Sequence, residues 1–195
     1  MESRTTFAQL IAARGKIHIP IIQRDYAQGR AEQKDVRNDF LSALHEALLW
    51  PPEDVRLLLD LDFVYGNNDA AGAFEPLDGQ QRLTTLFLLH WYLAWNDGQL
   101  DDFRARFIVD ARSRFGYQVR PSSRDFVDEI ARFDPGSFQP EVDLPLLIRD
   151  QQWYVRAWRF DQTVRSALDM LGAMHAEFAQ SSSLCNRLID LVFRV

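Results

Sequence analysis

The feature that most constrains this chain is an apolar run without a polar face. Residues 83–95 read LTTLFLLHWYLAW. The large apolar side chains lie on all sides of a helix, which is the pattern of a helix buried all round. The run is too short to cross a bilayer, and Asn96-Asp97-Gly98 is a helix stop signal. The sequence therefore predicts one central helix around which the rest of the chain packs.

A polar cluster, Asp78-Gly79-Gln80-Gln81-Arg82, leads into this helix. Asp78 is expected to cap the helix, and Gly79 allows another group to approach the backbone closely. Helix N-termini carry free N–H groups and a partial positive charge, which suit a phosphate. Arg82 adds a permanent cation, and Gln80 and Gln81 can donate and accept hydrogen bonds. Two interpretations stay open: this end binds a phosphate, or Asp78 only caps the helix while Arg82 pairs with a carboxylate elsewhere.

Composition limits the classes of function. A chain of 195 residues can bury one core with room for an appended subdomain. The net charge of −6 gives no overall attraction to nucleic acid or anionic membrane. The single cysteine excludes an internal disulfide framework and a cysteine-based zinc site. No secretory signal is present, so we expect a cytoplasmic protein without a membrane partner.

Local patterns in the first half predict helices and strands that feed the central helix. In order they are a helix capped by Thr5 or Thr6 and ending near Gly15, a strand at 16–22, a helix from about Glu32 to Trp50 with Val36 on its buried face, strand residues within 55–65, a turn at 66–69, and a strand at 74–77. Tyr26 follows the first strand, where it either stacks on a flat ligand or covers the core.

The second half is expected to be mainly helical. Its segments are 103–109, either helix or strand, a short extended stretch at 115–120, a helix opening at Pro121 and capped by Ser122 or Ser123, a loop at 134–145, an amphipathic helix capped by Asp161 and broken at 181–183, and an apolar segment at 184–195. The apolar ending has no closing signal, so we expect a chain truncated from a longer protein.

Four separated pieces together resemble one known family. They are IPIIQRDY at 19–26, LDGQQRLTTL at 77–86, FGYQVRPSSRDF at 115–126, and IRDQQWY at 148–154 with WRFDQTV at 158–164. In this order and spacing they are similar to the DGQQR-signature N-terminal domain of GmrSD-type restriction proteins, the type IV, modification-dependent class. The nine-residue string DGQQRLTTL is the most specific piece.

The resemblance implies an α+β fold of the ParB/sulfiredoxin-like kind, with a small mixed sheet and surrounding helices. Residues 1–98 would form the ParB-like domain with the DGQQR motif, and residues 99–195 a mainly helical extension. In such restriction proteins this domain is often fused to a C-terminal HNH-like nuclease half. This sequence contains no nuclease constellation of its own.

The same resemblance implies a nucleotide-binding set that consists of Gln23, Arg24, Tyr26, Gly79 and Arg82. Gly79 and the helix N–H groups would cradle a phosphate, with Gln23 and Arg24 on the opposite side of the pocket. A tryptophan is common soon after Tyr26 in the family, but here Ala27-Gln28-Gly29 follows. That departure leaves the residue that contacts the base unassigned.

The implied catalytic set consists of Asp78, Gln80, Gln81 and Arg82. Asp78 would hold Mg²⁺ directly or through water, together with phosphate oxygens of a nucleoside triphosphate. Gln80 or Gln81 would position a water. Arg82, with Arg24, would neutralise charge that builds up during phosphoryl transfer.

A further wall of the pocket can be drawn from three residues of the second half, Tyr117, Arg120 and Ser123. Ordinary packing and helix capping explain the same residues, and the sequence favours that explanation.

These implications give a leading function and two alternatives. The leading one is a nucleotide-binding, NTP-hydrolysing regulatory domain of a modification-dependent restriction protein in anti-phage defence, acting as an Mg²⁺-dependent NTPase. The first alternative is a non-catalytic module of such a protein that senses DNA or a modified base. Direct nuclease activity through Asp78 and a second acid ranks last.

DNA contact by this chain would need a local basic patch or the full-length protein, because phosphate contacts require several cations. Six arginines cluster in the sequence at Arg104, Arg106, Arg112, Arg114, Arg120 and Arg124. Four aspartates lie among them, which is typical of a solvated mixed-charge surface.

Overall fold

The structure, a computed structural model, describes residues 4–20, 25–50, 59–118 and 120–195. The helices are α1 (Phe7–Arg14), α2 (Lys34–Leu49), α3 (Gln80–Asn96), α4 (Leu100–Phe107), α5 (Pro121–Arg132), α6 (Leu144–Arg149) and α7 (Gln162–Phe178). The strands are β1 (Arg4–Thr5), β2 (Ile17–Ile19), β3 (Leu59–Phe63), β4 (Gly66–Asn68), β5 (Phe74–Pro76), β6 (Ile108–Val109), β7 (Arg112–Ser113), β8 (Phe115–Tyr117) and β9 (Leu191–Arg194). Short 3₁₀ segments lie at Ala31–Gln33, Arg156–Phe160 and Cys185–Asp190.

Helix α3 is the centre of the molecule, as its apolar run predicted. Every residue from Leu83 to Trp95 is buried. Helices α1, α4 and α7 pack against α3, as does the 3₁₀ segment Cys185–Asp190. The helix ends at Asn96, where Asp97 caps it, so the predicted stop signal is confirmed. Among the described residues, no helix combines the length and apolarity needed to cross a membrane.

Three small sheets join distant parts of the chain. A four-stranded sheet has the order β4-β5-β2-β8, in which β2 is parallel to both β5 and β8. A three-stranded sheet has the order β1-β9-β3, and β6 pairs with β7. The mixed sheets with surrounding helices confirm the expected α+β class.

The sheets also bear on the expected division of the chain at residue 98. Strand β8 follows that point but pairs with β2, and β9 lies between β1 and β3. Both larger sheets are therefore built from the two parts together. Residue 98 does not separate two sheets, and the second part supplies strands to each of them. Backbone pairing here joins segments that are far apart in sequence, and the division into two domains stays a prediction.

Two helix caps match the sequence prediction and two do not. Thr6 forms a capping box, in which Gln9 N–H donates to Thr6 Oγ1 and Thr6 N–H donates to Gln9 Oε1, at 3.2 and 3.0 Å. Asp161 accepts from the N–H groups of Thr163 and Val164, as expected. The predicted cap by Ser122 or Ser123 is wrong, because α5 begins at Pro121 and Arg120 is its N-cap residue. The predicted cap by Asp78 is wrong too, because Gly79 holds that position.

The remaining local predictions had mixed outcomes. The turn predicted at 66–69 is wrong in position, because residues 66–68 form strand β4, paired with β5, and the turn follows at 69–72. Residues 103–109 are helix as far as Phe107 and then strand β6. Val36, expected on the buried face of α2, is exposed. The part of the predicted strand at 16–22 that the structure describes is β2, Ile17–Ile19.

His90 is a histidine buried inside α3. Its Nδ1 lies 2.7 Å from the Leu86 carbonyl, to which it donates, and its ring lies against Phe7 and Phe107. Burial lowers the pKa of His90 from 6.5 to about 4, with a smaller contribution from the charge of Arg106. The folded protein therefore holds His90 neutral at pH values where an unfolded chain would protonate it.

We predict that this histidine makes the protein less stable as pH falls from 6.5 towards 4. In that range the unfolded state binds a proton that the folded state excludes, so the free energy of unfolding decreases with falling pH. The loss amounts to about 2 kcal/mol at pH 5, given a folded pKa of about 4 against 6.5. Urea unfolding at pH 7.5 and pH 5 measures it.

The matched control is His90→Asn, which keeps a donor near the position of Nδ1 but cannot titrate. All other groups titrate in both proteins, so the difference between their pH dependences isolates His90. Identical pH dependences for the two proteins would contradict the prediction.

Candidate functional site

A cleft opens at the N-terminus of the central helix. Its volume is about 310 Å³, and its walls come from the end of β5, the first turn of α3 and one loop residue. We call it the motif cleft, and it is lined by Gln28, Leu77, Asp78, Gly79, Gln80, Gln81 and Arg82. The whole D-G-Q-Q-R motif therefore faces one site, with Gln28 added from a segment distant in sequence.

Gly79 is required at its position for two separate reasons. Its φ of 84° lies in the left-handed region that side chains other than glycine rarely adopt. A Cβ there would also lie 2.7 Å from Val64 Cγ2 and 3.2 Å from the Phe63 carbonyl oxygen. Gly79 thus lets the chain turn sharply from β5 into α3 while lying against the segment that follows β3.

The start of α3 is open on the side of the motif cleft. Within the part of the chain that the structure describes, no side chain caps this end. The first N–H groups of a helix have no partner inside the helix, so those of α3 keep their capacity to donate. The Asp78 carboxylate is exposed and has no hydrogen-bond or ion-pair partner among the described residues. Its backbone N–H donates to the Tyr65 carbonyl at 3.1 Å.

Gln81 connects the start of α3 to the segment that follows β2 through hydrogen bonds of its side-chain amide. Its Oε1 accepts from the N–H groups of Ala27 and Gln28, at 2.6 and 3.3 Å. Its Nε2 donates to the Asp25 carbonyl at 2.9 Å. The side-chain amide therefore pairs with the main chain much as a neighbouring strand would.

Gln80 is also held by main-chain atoms. Its side chain is buried, and Nε2 donates to the carbonyls of Pro76 and Leu77 at 3.2 and 3.3 Å. One of these two glutamines was expected to position a water. Gln80 holds the turn that precedes α3, and Gln81 holds the loop beside it.

Arg82 lies at the edge of the cleft with part of its guanidinium already engaged. Its Nη1 donates to the Phe63 carbonyl at 2.6 Å, and its Nη2 lies 4.0 Å from the Asp62 carboxylate. The sequence left open that Arg82 pairs with a carboxylate elsewhere, and its weak ion pair with Asp62 agrees with this in part. Asp62 is largely exposed and Arg82 still lines the motif cleft, so the cation remains near the helix N-terminus.

Tyr26 does not line the cleft. Its ring is fully buried, and its hydroxyl shares a hydrogen bond of 2.7 Å with Thr85. Burial raises the pKa of Tyr26 above its usual value. Of the two alternatives drawn from the sequence, the geometry therefore favours core covering over stacking on a ligand. Thr85 also donates to Gln28 Oε1, at 2.6 Å, which joins the core to the cleft wall.

Two residues of the expected binding set, Gln23 and Arg24, lie outside the described residues. The next residue, Asp25, is described and forms ion pairs with Arg30 and Arg120. Arg120 is therefore tied to the segment beside the motif.

The two other residues of the proposed further wall serve packing. Tyr117 is buried and its hydroxyl shares a hydrogen bond with Thr84 at 2.9 Å. Ser123 is buried and donates to the Asp161 carboxylate at 3.0 Å. This matches the packing explanation, although Ser123 supports the cap of α7 and does not cap its own helix.

The arginine cluster of the sequence is divided among acidic partners. Among the residues that the structure describes, four of the six arginines form ion pairs, which are Arg104 with Asp101 and Asp134, Arg112 with Asp128, Arg120 with Asp25, and Arg124 with Asp125. These arginines therefore do not form a continuous basic surface.

Sequence reasoning missed Gln28 and Leu77 as cleft residues. Gln28 was considered as part of the departure after Tyr26, and Leu77 was assigned to a strand. The signal that pointed to Gln28 was the family departure after Tyr26, since that loop meets Gln81. No local signal marked Leu77, because its role depends on where β5 ends.

One comparison with known proteins decides the family. The sequence model described as "GmrSD restriction endonuclease, N-terminal domain" matches residues 7–184. This chain belongs to that family. The GmrSD match spans the motif cleft, the whole four-stranded sheet and helices α1 to α7, while β1 and β9 of the three-stranded sheet lie outside it. No curated protein and no solved structure matches the chain.

We predict that Gln81→Ala destabilises this GmrSD domain by about 1–3 kcal/mol. The substitution leaves the partly buried main-chain groups of Asp25, Ala27 and Gln28 without their hydrogen-bond partner. Gln81→Glu should also destabilise it, since a carboxylate cannot donate to the Asp25 carbonyl. Urea unfolding measures both changes. Gln152→Ala, at an exposed glutamine, is the control and should leave stability unchanged. Equal stability of all four proteins would show that the Gln81 contacts contribute nothing.

Proposed function

We propose that the motif cleft binds the phosphates of a nucleoside triphosphate, and that this chain is the nucleotide-binding, NTP-hydrolysing regulatory part of a modification-dependent restriction protein. The observation that carries this proposal is the uncapped N-terminus of a buried helix of 17 residues, which opens into the cleft. Membership of the GmrSD family supports the restriction context.

The anion-binding capacity comes from fixed groups. The N–H groups of the first turn carry the positive end of the helix dipole and have no side-chain cap among the described residues. Because α3 is buried along its length, these donors cannot swing away and need little reorganisation when a phosphate arrives. Arg82 adds a charge-assisted donor at the edge of the same cleft.

Asp78 fits the role of an Mg²⁺ ligand. Its carboxylate is exposed at the cleft and has no partner among the described residues. Mg²⁺ bound with a nucleotide commonly takes one or two carboxylates in addition to phosphate oxygens and waters. No group of three or more acidic, histidine or cysteine ligands occurs among the described residues. Asp78 would therefore hold the ion together with phosphate oxygens, and the ion would supply positive charge to the triphosphate.

A second candidate is nucleotide or DNA sensing without turnover. The observation that favours it is that the amides of Gln80 and Gln81 hold main-chain groups. Neither amide is then free to orient an attacking water as these glutamines were expected to do. A purified chain that binds nucleotide without hydrolysing it would support this candidate.

In the full-length protein we expect an HNH-like nuclease half to act with this domain on DNA. Nucleotide binding at the motif cleft would then regulate cleavage. The paired arginines of this domain suit DNA contact poorly on their own, so most of the DNA contacts would come from the rest of the protein.

The first test is calorimetric titration with GTP, CTP and ATP, with and without Mg²⁺. We expect saturable binding that Mg²⁺ strengthens, and hydrolysis is then assayed on the preferred nucleotide. Asp78→Asn keeps the size of the side chain but removes its charge, so it should remove most of the Mg²⁺ effect. Absence of binding by the folded wild-type protein would overturn the proposed function.

We further predict that Arg82→Ala abolishes phosphate binding, or weakens it by at least about tenfold, the size of one charge-assisted contact. The fold should stay largely intact, because the guanidinium lies at the cleft edge and not in the core. Titration and thermal melting measure the two effects. Arg124→Ala, an exposed arginine paired with its neighbour, is the control. If Arg82→Ala unfolds the protein, the role of Arg82 is structural.

A further inference from the structure

Two exposed apolar side chains stand at the rim of the motif cleft. Tyr65 is 58% exposed and Leu77 is 41% exposed, although each adjoins a strand that is partly buried. Leu77 is itself part of the cleft lining. Exposed aromatic and aliphatic side chains beside a polar cleft are typical of ligand contact surfaces.

The strand register puts these two side chains on one face. Gly66 is paired with Pro76 in the antiparallel ladder of β4 and β5. Continuing that register by one residue pairs Tyr65 with Leu77, and the Leu77 N–H donates to the Tyr65 carbonyl at 2.8 Å. Directly opposed residues of an antiparallel pair project to the same side, with Cβ atoms about 5 Å apart. Tyr65 and Leu77 therefore form one small apolar surface, which we call the rim platform.

The rim platform adjoins the helix N-terminus. The Tyr65 carbonyl also accepts from the Asp78 N–H at 3.1 Å, so only Gly79 separates this contact from the first turn of α3. A ligand whose charged end meets the N–H groups of α3 would have the platform beside it on the strand side.

Other aromatic side chains near the motif are already occupied. Tyr26 is fully buried. Phe63 has the Arg194 guanidinium over its ring, 4.2 Å from the centroid. Among these three described residues, Tyr65 keeps the most exposed side chain.

We propose that the rim platform is a nucleobase subsite, in which the base of the bound nucleotide stacks on Tyr65 and contacts Leu77. This inference rests on the proposed function, because it assigns the base of a nucleotide whose phosphates lie in the motif cleft. Stacking uses the face that every base has, so the platform contributes affinity without selecting among bases.

Paired titrations with GTP and with inorganic tripolyphosphate, both with Mg²⁺, test the subsite. Tripolyphosphate carries the phosphate chain without a base. Tyr65→Ala should weaken GTP about tenfold or more, the usual effect of losing one aromatic–base stack, and should leave tripolyphosphate unchanged. Tyr65→Phe keeps the ring and should bind both ligands like the wild type. ATP and CTP should lose affinity in Tyr65→Ala to a similar degree.

Two further variants support the test. Leu77→Ala should weaken GTP less than Tyr65→Ala and also leave tripolyphosphate unchanged. Phe160→Ala removes an exposed aromatic ring of the second half, 72% exposed, and should change neither ligand. Thermal melting of each variant confirms that it is folded.

The outcomes separate the two proposals. If Tyr65→Ala and Leu77→Ala, both folded, leave GTP binding unchanged or weaken both ligands equally, the subsite is overturned while the phosphate site stands. If wild-type protein binds tripolyphosphate but gains nothing from the base of GTP, the subsite is again overturned. If the wild type binds neither ligand, the proposed function and the subsite are both overturned.

Discussion

Burial of α3 on every side is the constraint on which the rest of the structure depends. A helix enclosed by α1, α4 and α7 has one fixed position and one fixed axis. The direction of its dipole and the location of its first N–H groups are fixed with it. A polar site at the end of such a helix is held by the core of the protein, so its donors are set in place before any ligand arrives.

The motif residues have two different roles: some hold the start of α3 in place and others face the cleft. Gly79 makes the turn into α3, where a Cβ on any other residue would clash with Val64. Gln80 and Gln81 attach the helix start to the turn before it and to the loop beside it. Asp78 and Arg82 are the charged members that face the cleft. The D-G-Q-Q-R string thus combines scaffold residues with a smaller number of residues available for chemistry, and the letters of the string do not distinguish the two groups.

The sequence was informative wherever the cause of a structure was local. The buried run predicted α3, and the caps at Thr6 and Asp161 were recognised because a capping side chain bonds to residues two or three positions away. The predicted cap at Asp78 was wrong, because Gly79, in a left-handed conformation, takes the N-cap position one residue later. The burial of Tyr26 and the pairing of β9 with β1 and β3 depend on contacts across most of the chain. The same holds for the cleft role of Leu77, so local pattern could not supply these features.

The Gln81 contacts have a consequence for how this domain can diversify. All three partners of its amide are main-chain atoms, the carbonyl of Asp25 and the N–H groups of Ala27 and Gln28. Main-chain groups are the same whatever side chains the loop carries. The attachment therefore holds the loop at a set distance from the motif and makes no use of the side chain at position 27, whereas the side chain of Gln28 has its own hydrogen bond with Thr85. A different side chain at position 27 would then change the surface beside the motif cleft without moving the start of α3.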